Sequence, residues 1–199
     1  MFIDYQKIVQ SEKFFTNKGY VRIESPWFVP ASIDNITKPK EKRHFQLKHN
    51  DKCLVASGEQ SFLYLIMQGY LPNGKYQTIT PCFRDDQNDL THRNHFIKNE
   101  LIVVNPTNSM LVCDDMIRDA FEFYSEILKS NEISADRHLK IVYESDSADI
   151  VLTSPLWDSP IELGSYGVRE SGSITWVYGT ACAEPRLSIA IETLKSTIQ

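Results

Sequence analysis

The chain has 199 residues and a formal net charge of −5; 42% of the residues are apolar and 24% are charged. This length supports one substantial core or at most two small ones, and the composition is that of an ordinary globular protein. The acidic balance argues against strong non-specific binding to nucleic acid, and no apolar run approaches the roughly 20 residues that a membrane span needs.

In chain order, residues 4–18 predict a helix that Asp4 can cap and Gly19 can end. The polar segment 30–44 contains two prolines and a dense run of Lys and Arg, which predicts a mobile loop. Three further elements are predicted before residue 70: a strand over 20–26, a hairpin over 44–57 and an apolar helix over 59–69.

The rest of the chain is richer in strands. The predicted strands cover residues 76–84, 95–104, 139–144, 148–153, 160–165 and 174–179, and the predicted helices cover 109–129 and 184–197. Because hairpins alternate with helices, this order predicts an α+β fold with a mostly antiparallel sheet flanked by helices. No linker divides the pattern, so we expect residues 1–199 to form a single domain.

The four cysteines form no C-x-x-C pair and have no zinc-ligand spacing to a histidine. We therefore expect reduced, buried thiols in a cytoplasmic protein. Acidic and polar side chains within the first ten residues argue against a signal peptide.

The hairpin predicted from 76–84 and 95–104 concentrates charged and aromatic side chains. Alternate residues of a strand face the same side, so Arg84 and Asp86 share one face. Phe96, Lys98 and Glu100 share a face of the returning strand. Arginine binds phosphate oxygens, carboxylates can hold magnesium, a ribose or an amino group, and an aromatic face can stack on adenine. The alternative is a solvated hairpin with cross-strand ion pairs.

Two later predicted strands carry charge inside apolar runs. Asp149 begins one of them, and Glu162 lies between two apolar neighbours in the next. Gly164 and Gly167 leave room for a ligand, and Arg169 follows. A carboxylate among apolar residues is costly unless it is paired or bound to a metal. The pattern predicts a polar pocket in the sheet; the alternative is a structural Glu–Arg pair.

The segment "LVASGEQSFLY" places Glu59 and Gln60 at the start of a helix. Ser57 can cap this helix, and Gln60, three residues on, can complete a capping box. The functional alternative is a polar turn that holds an amino group of a ligand.

The segment "YGTACAEPRLSIAIE" alternates small residues before an arginine. A glycine or alanine at every second position, here Gly179, Ala181 and Ala183, lets something flat approach the strand. Pro185 suits the first turn of a helix, and Arg186 then lies beside unpaired amides that attract anions. The alternative is ordinary close packing of a helix on a sheet.

Taken in order, these segments resemble the catalytic core of class II aminoacyl-tRNA synthetases and of their relative asparagine synthetase A. "KGYVRIESPWFVP", in which Pro26 ends the strand, looks like the first class II motif and implies a homodimer. "FRDDQNDLTHRNHFIKNE" resembles the second motif, and "GTACAEPRL" resembles the third, in which three glycines alternate before an arginine. The resemblance covers roughly residues 5–195.

The resemblance implies roles for the matched residues of these motifs. In the second motif, Arg84 would hold the α-phosphate of ATP and Phe96 would stack on adenine. Asp86 and Glu100 would be supporting acids. In the third motif, Arg186 would contact the γ-phosphate.

The segment "DIVLTSPLWDSPIELGSYGVR" is similar to asparagine synthetase A and, more loosely, to aspartyl- and asparaginyl-tRNA synthetases. That similarity implies that Glu162 helps to bind Mg·ATP and that Asp149 and Arg169 lie near the amino-acid substrate. "ASGEQ" resembles the loop that lines the amino-acid pocket, which implies substrate contacts from Ser57, Glu59 and Gln60.

Four positions depart from the family pattern. Asp86 and His95 stand where glutamates are usual, and Ala181 and Ala183 replace two glycines of the third motif. Extra methyl groups there would tighten or partly block the nucleotide site.

The implied function is ATP-dependent activation of an amino acid through an aminoacyl-adenylate, with ATP and Mg²⁺ bound and with Arg84, Arg186 and Glu162 as catalytic residues. The acceptor stays open: ammonia, as in asparagine synthetase A, a tRNA, a carrier protein or another small molecule. The acidic charge and the lack of a recognisable anticodon-binding segment lower the expectation for tRNA. The alternative is a non-catalytic paralogue that binds an amino acid or a nucleotide as a regulator.

Overall fold

A computed structural model describes residues 3–38, 43, 45–48, 50–85, 91 and 93–198. The described helices are α1 (Tyr5–Asn17), α2 (Ala31–Thr37), α3 (Gly58–Met67), α4 (Ser109–Ser130), α5 (Ala135–His138) and α6 (Arg186–Ile198). The described strands are β1 (Val21–Arg22), β2 (Phe28–Pro30), β3 (Phe45–Gln46), β4 (Lys52–Leu54), β5 (Gly74–Phe83), β6 (His95–Val104), β7 (Leu139–Tyr143), β8 (Ser147–Leu152), β9 (Ile161–Ser171) and β10 (Ile174–Glu184).

The main sheet has seven strands in the order β1-β5-β6-β10-β9-β8-β7. Each neighbouring pair is antiparallel except the short parallel pair of β1 and β5. A small second sheet has the order β2-β4-β3. The predicted α+β fold with a mostly antiparallel sheet is therefore confirmed.

The main sheet has two differently covered faces. Leu101 and Val103 of β6 point into a core shared with α1, α4 and α6, which we call the helical face. Ile102 and Val104, at the alternate positions, pack with Phe62 beneath α3, on what we call the pocket face. Because successive side chains of a strand point to opposite sides, β6 supplies both cores at once.

Part of the predicted loop 30–44 is helical, so that prediction was wrong for α2. Ile33 of this helix is buried, and Ile36 packs against the same apolar cluster as α3. Two isoleucines at a spacing of three lie on one side of a helix turn, and their burial compensates for the polar composition around them. The rest of the predicted mobile loop at residues 39–42 and 44, which includes two of its three lysines, lies outside the described residues.

Two β-bulges interrupt the ladders close to the predicted site. In the β9 bulge, Ile150 pairs with Gly164 and Val151 with Glu162, so Leu163 is the extra residue. In the β10 bulge, Thr180 pairs with Glu100 and Cys182 with Asn99, so Ala181 is the extra residue. An extra residue shifts the alternation of a strand, so side chains beyond it change face.

Strand β10 continues to Glu184, whereas the sequence analysis began the last helix at that residue; α6 begins at Arg186. All four cysteines are buried and free, as expected. Within the described residues, none of the helices combines the length and the apolar character of a membrane span.

Candidate active site

A cavity of about 330 Å³ opens on the pocket face of the sheet, beside the N-terminus of α3. Nine residues with a predicted catalytic or binding role line this cavity: Ser57, Glu59, Gln60, Arg84, Phe96, Glu100, Glu162, Arg169 and Arg186. They come from separate segments of the chain, and the antiparallel sheet brings them together. Convergence of charged and aromatic groups in one concave site is typical of a ligand site.

Among the described residues, one predicted site residue, Asp149, is not part of this lining. Asp149 lies on β8 opposite Ser165 of β9, and Ser165, not Asp149, lines the cavity. Burial raises the pKa of Asp149, although a hydrogen bond from Ser165 opposes this change. Asp86 lies outside the described residues.

Glu100 holds the start of α3 on the sheet. Its carboxylate accepts hydrogen bonds from the Ser57 hydroxyl, the Gly58 amide and, at 2.6 Å, the Lys98 ammonium. Burial favours a higher pKa for Glu100, but the charge of Lys98 and these hydrogen bonds lower its pKa overall. A buried carboxylate with three donors fixes the helix that forms one wall of the cavity.

We expect Lys98→Met to destabilise the fold by about 3–5 kcal/mol, because it leaves the Glu100 carboxylate buried without its cation. The pKa of Glu100 is lowered by folding, so ionised Glu100 stabilises the protein above its unfolded pKa of roughly 4.3, and this contribution is lost as the pH falls through the lower folded value. Urea unfolding at about pH 7 and about pH 4 should therefore show a smaller loss in the variant at the acidic pH. Lys18→Met, which breaks a more exposed pair with Glu122, should cost under about 1 kcal/mol, and an equal cost for the two variants would contradict this role of Lys98.

Glu59 forms the centre of a second polar cluster. It accepts a hydrogen bond of 2.6 Å from Arg169 and one of 2.7 Å from the indole nitrogen of Trp176. The Arg169 guanidinium also lies 4.2 Å from the centroid of the Tyr178 ring. Burial raises the pKa of Glu59, and the charge of Arg169 opposes that rise. Arg169 is thus held between a carboxylate and an aromatic face, with 40% of its side chain exposed towards the site.

The predicted cap of α3 by Ser57 is present, but Gln60 bonds one residue earlier than a capping box requires. The Ser57 hydroxyl accepts from the amide of Glu59 at 3.3 Å, and Gln60 Oε1 accepts from the amide of Ala56 at 2.7 Å. Ser57 and Gln60 thus hold the start of α3 and also line the cavity.

Arg84 leaves β5 at the cavity and is held on two sides. Its Nε donates to the Ala56 carbonyl at 3.0 Å, and its guanidinium lies 5.2 Å from the centroid of the Phe96 ring. The sequence analysis placed Arg84 and Phe96 on facing strands, and the ladder, in which Cys82 pairs with Phe96, brings the two side chains together.

Arg186 and Glu162 face one another at the other end of the cavity. Arg186 Nη1 donates to Glu162 Oε1 at 3.0 Å, and Arg186 Nε donates to the Thr91 carbonyl at 3.4 Å. The amides at the start of α6 are not all open to an anion, because the amide of Ser188 already donates to Glu184. The predicted attraction of anions to these amides is therefore reduced, and the charge of Arg186 itself remains.

The alternating small residues of β10 do not share one face. A side chain at Gly179 would meet Met116 and Tyr166 on the helical face, and Ala181 packs within the same core. Only Ala183, beyond the β10 bulge, has its side chain at the cavity. The methyl group of Ala181 therefore does not narrow the site, and that part of the prediction was wrong.

Among the cavity residues that were not predicted from the sequence are Ser165 of β9 and Tyr178 and Thr180 of β10. The sequence analysis also missed Trp176, which binds Glu59 at the base of the site. A signal was present, since Trp176, Tyr178 and Thr180 alternate and must share a face up to the bulge.

The described residues contain no group of three or more His, Cys, Asp and Glu side chains that could hold a metal by themselves. Magnesium, however, is usually bound by one or two carboxylates together with phosphate oxygens and water. Glu162, with 47% of its side chain exposed beside Arg186, fits that requirement as one carboxylate donor.

Known proteins share this architecture. Residues 2–195 match the family described as tRNA synthetases class II (D, K and N). No curated protein matches the chain. Seryl-tRNA synthetase from Pyrococcus horikoshii complexed with ATP is similar in fold, with 17% identity, a TM-score of 0.70, and 92% of this chain and 48% of that chain covered. Cytoplasmic serine-tRNA ligase from Naegleria fowleri in complex with AMP has 16% identity, a TM-score of 0.67, and 91% of this chain and 46% of that chain covered. PylSc, a pyrrolysyl tRNA synthetase from Desulfitobacterium hafniense, has 18% identity, a TM-score of 0.68, and 95% of this chain and 69% of that chain covered. The chain thus spans about half the length of the two serine enzymes.

Proposed function

This chain belongs to the class II tRNA synthetase family (D, K and N), and from that premise we propose that it activates an amino acid with ATP. The products would be an aminoacyl-adenylate and pyrophosphate. The observation that carries the proposal is the convergence of Arg84, Phe96, Glu162 and Arg186 with the Glu59–Arg169 cluster around one cavity. Such a site offers cations for phosphates at one end and a polar, aromatic pocket at the other.

The reaction would begin with ATP and the amino acid held side by side. An oxygen of the substrate carboxylate attacks the α-phosphorus, the bond from that phosphorus to the bridging oxygen breaks, and pyrophosphate leaves with the bond's electron pair. Arg84 would neutralise charge on the α-phosphate, while Arg186 would bind the departing end. Because the attacking carboxylate and the triphosphate are both negatively charged, fixed cations and correct orientation supply most of the catalysis.

Magnesium would supply further charge neutralisation between the phosphates when it is bound, and Glu162 is the residue that would hold it. In the structure, Glu162 pairs with Arg186. When a triphosphate binds, Arg186 would exchange Glu162 for a phosphate, and Glu162 would exchange Arg186 for the metal. Until then, the ion pair compensates the charges of both side chains.

The amino-acid end of the site would consist of Glu59, Arg169 and Tyr178. A carboxylate suits an amino group, and an arginine suits a carboxylate or an amide oxygen. This set favours a substrate with an acidic or amide side chain, and asparagine synthetase A-like transfer to ammonia is one form of the proposed reaction. A tRNA or another acceptor would use the same adenylate.

ATP–pyrophosphate exchange, measured with each amino acid in turn, tests the proposal. Exchange that depends on one amino acid supports it and identifies the substrate. Calorimetric binding of ATP or of an amino acid without exchange would contradict it and support a non-catalytic regulator.

We also propose a homodimer formed through the segment that resembles the first class II motif. Apolar side chains are exposed in this segment, at Val21, Trp27 and Phe28, and in the preceding helix α1, at Tyr5 and Val9. Exposed apolar side chains that form a contiguous patch mark an interface, and we propose that these residues form one. Sedimentation velocity over a range of concentrations would measure the dimer, and a monomer at every concentration would contradict it.

A further inference from the structure

Two buried tyrosines each bind a backbone carbonyl at one of the two β-bulges. Tyr124 of α4 donates its hydroxyl to the carbonyl of Leu163, the extra residue of the β9 bulge, at 3.0 Å. Tyr166 of β9 donates to the carbonyl of Thr180, directly before the extra residue of the β10 bulge, at 2.6 Å. Both tyrosines are fully buried on the helical face.

The β9 bulge decides which way Glu162 points. On the C-terminal side of this bulge, Ser165 and Arg169 line the cavity, while Tyr166 between them packs on the helical face. Strict alternation would then place Glu162 on the helical face, among apolar residues. The extra residue Leu163 shifts the alternation, and Glu162 lines the cavity.

The β10 bulge has the same effect before Arg186. Tyr178 and Thr180 line the cavity, and strict alternation would bring Cys182 to that face next. Instead, Cys182 packs in the core of the helical face and Ala183 lines the cavity. The direction of Ala183, three residues before Arg186, therefore depends on the bulge.

A bulge needs a partner for the backbone group that the ladder no longer serves. Buried carbonyls are costly when they lack a hydrogen bond, and here a tyrosine hydroxyl supplies the bond. The glycines around Tyr166 fit this arrangement, because a side chain at Gly164 would meet the Tyr166 hydroxyl at 2.6 Å. A side chain at Gly179 would meet the Tyr166 ring at 2.5 Å.

We infer that Tyr124 and Tyr166 are positioning residues: from the far side of the sheet, they hold the two bulges that turn Glu162 and Arg186 towards each other. This role rests on the proposed function, because it assigns the tyrosines to the phosphate end of the same site. Neither tyrosine lines the cavity, so each acts through the strand that it binds.

The test compares Tyr124→Phe and Tyr166→Phe with Tyr76→Phe. Tyr76 donates to the Pro72 carbonyl at 3.1 Å from another part of the sheet, so its variant loses the same type of bond away from either bulge. Gly164→Ala is a further variant that displaces the Tyr166 hydroxyl without removing it. Two readouts are measured: kinetics of ATP–pyrophosphate exchange, and deuterium uptake of backbone amides in peptides over residues 160–168 and 178–186.

In exchange kinetics, we expect the two bulge variants and Gly164→Ala to raise the KM for ATP and lower kcat/KM for ATP about tenfold or more, with the amino-acid KM unchanged. A general loss of folded enzyme would lower kcat and leave both KM values as they are. Tyr76→Phe should match the unchanged protein. If the bulge variants keep kcat/KM for ATP within twofold, the inference is wrong although the proposed function stands.

Deuterium uptake decides the inference even if the unchanged protein catalyses no exchange. In that case the proposed function fails, but the deuterium data can still support the role of the tyrosines. The supporting result is faster uptake over 160–168 in Tyr124→Phe and over 178–186 in Tyr166→Phe, with no change at either peptide in Tyr76→Phe. Uptake that is the same in all variants would overturn it. A variant that does not fold is replaced in both readouts by Gly164→Ala.

Discussion

Arg84→Ala should lower the rate of ATP–pyrophosphate exchange by about a thousandfold. The proposed reaction gathers negative charge around the α-phosphorus, and Arg84 is a cation fixed at the cavity, with its Nε on the Ala56 carbonyl and its guanidinium 5.2 Å from the centroid of the Phe96 ring. An alanine removes this charge and the stacking partner together. Because a preorganised cation acts most strongly in the transition state, we expect kcat to fall more than the affinity for ATP.

The control for this prediction is Arg118→Ala. Arg118 lies on α4 with 71% of its side chain exposed and pairs with Asp115 at 2.6 Å, so its loss changes net charge without touching the cavity. Exchange by this variant should stay within about twofold of the unchanged protein. If Arg84→Ala left both nucleotide affinity and exchange unaltered, the assignment of Arg84 would be wrong under either the catalytic or the regulatory hypothesis.

Glu162→Gln is expected to have the second large effect, a loss of exchange of about a hundredfold or more at low magnesium. Glutamine keeps the shape of the side chain but removes the charge that would hold the cation. It also leaves Arg186, 3.0 Å away, without its carboxylate partner. The magnesium concentration that gives half-maximal exchange should therefore rise, and high magnesium should restore part of the rate.

Glu170→Gln gives a matched comparison for Glu162. Glu170 is an exposed residue of the same strand and does not line the cavity. Its variant should require the same magnesium concentration as the unchanged protein. An equal magnesium requirement in Glu162→Gln would show that Glu162 has no part in holding the metal.

Much of the candidate site followed from local patterns. Charged residues at alternate positions of a strand must share a face, so the spacing of Phe96, Lys98 and Glu100 was enough to group them. The capping residues of α3 were recognisable because a serine and a glutamine at a spacing of three stabilise a helix start in a known way. The helix α2 was missed because its burial depends on Ile33 meeting residues of α3 that lie far away in sequence.

Glu59 shows what contacts between residues distant in sequence add to a prediction made from local patterns. Its position at a helix start was predictable, but its bonds to Arg169 and Trp176 join residues more than a hundred positions apart. Separations of that kind are set by the strand order β6-β10-β9, which no local pattern encodes. The pKa change that follows from burying this carboxylate is likewise a property of the assembled site.

By itself, the sequence determined the fold class, the three ordered motifs and nine of the residues that line the cavity, because strand alternation and helix capping are local rules. Only the tertiary structure decided which face each residue of β9 and β10 presents. A single extra residue in a strand reverses the alternation beyond it, and the groups that bind the backbone beside the bulge come from distant parts of the chain. Tyr124 and Tyr166 provide that group here, and for that reason Ala181 packs in the core while Glu162 and Ala183 line the site.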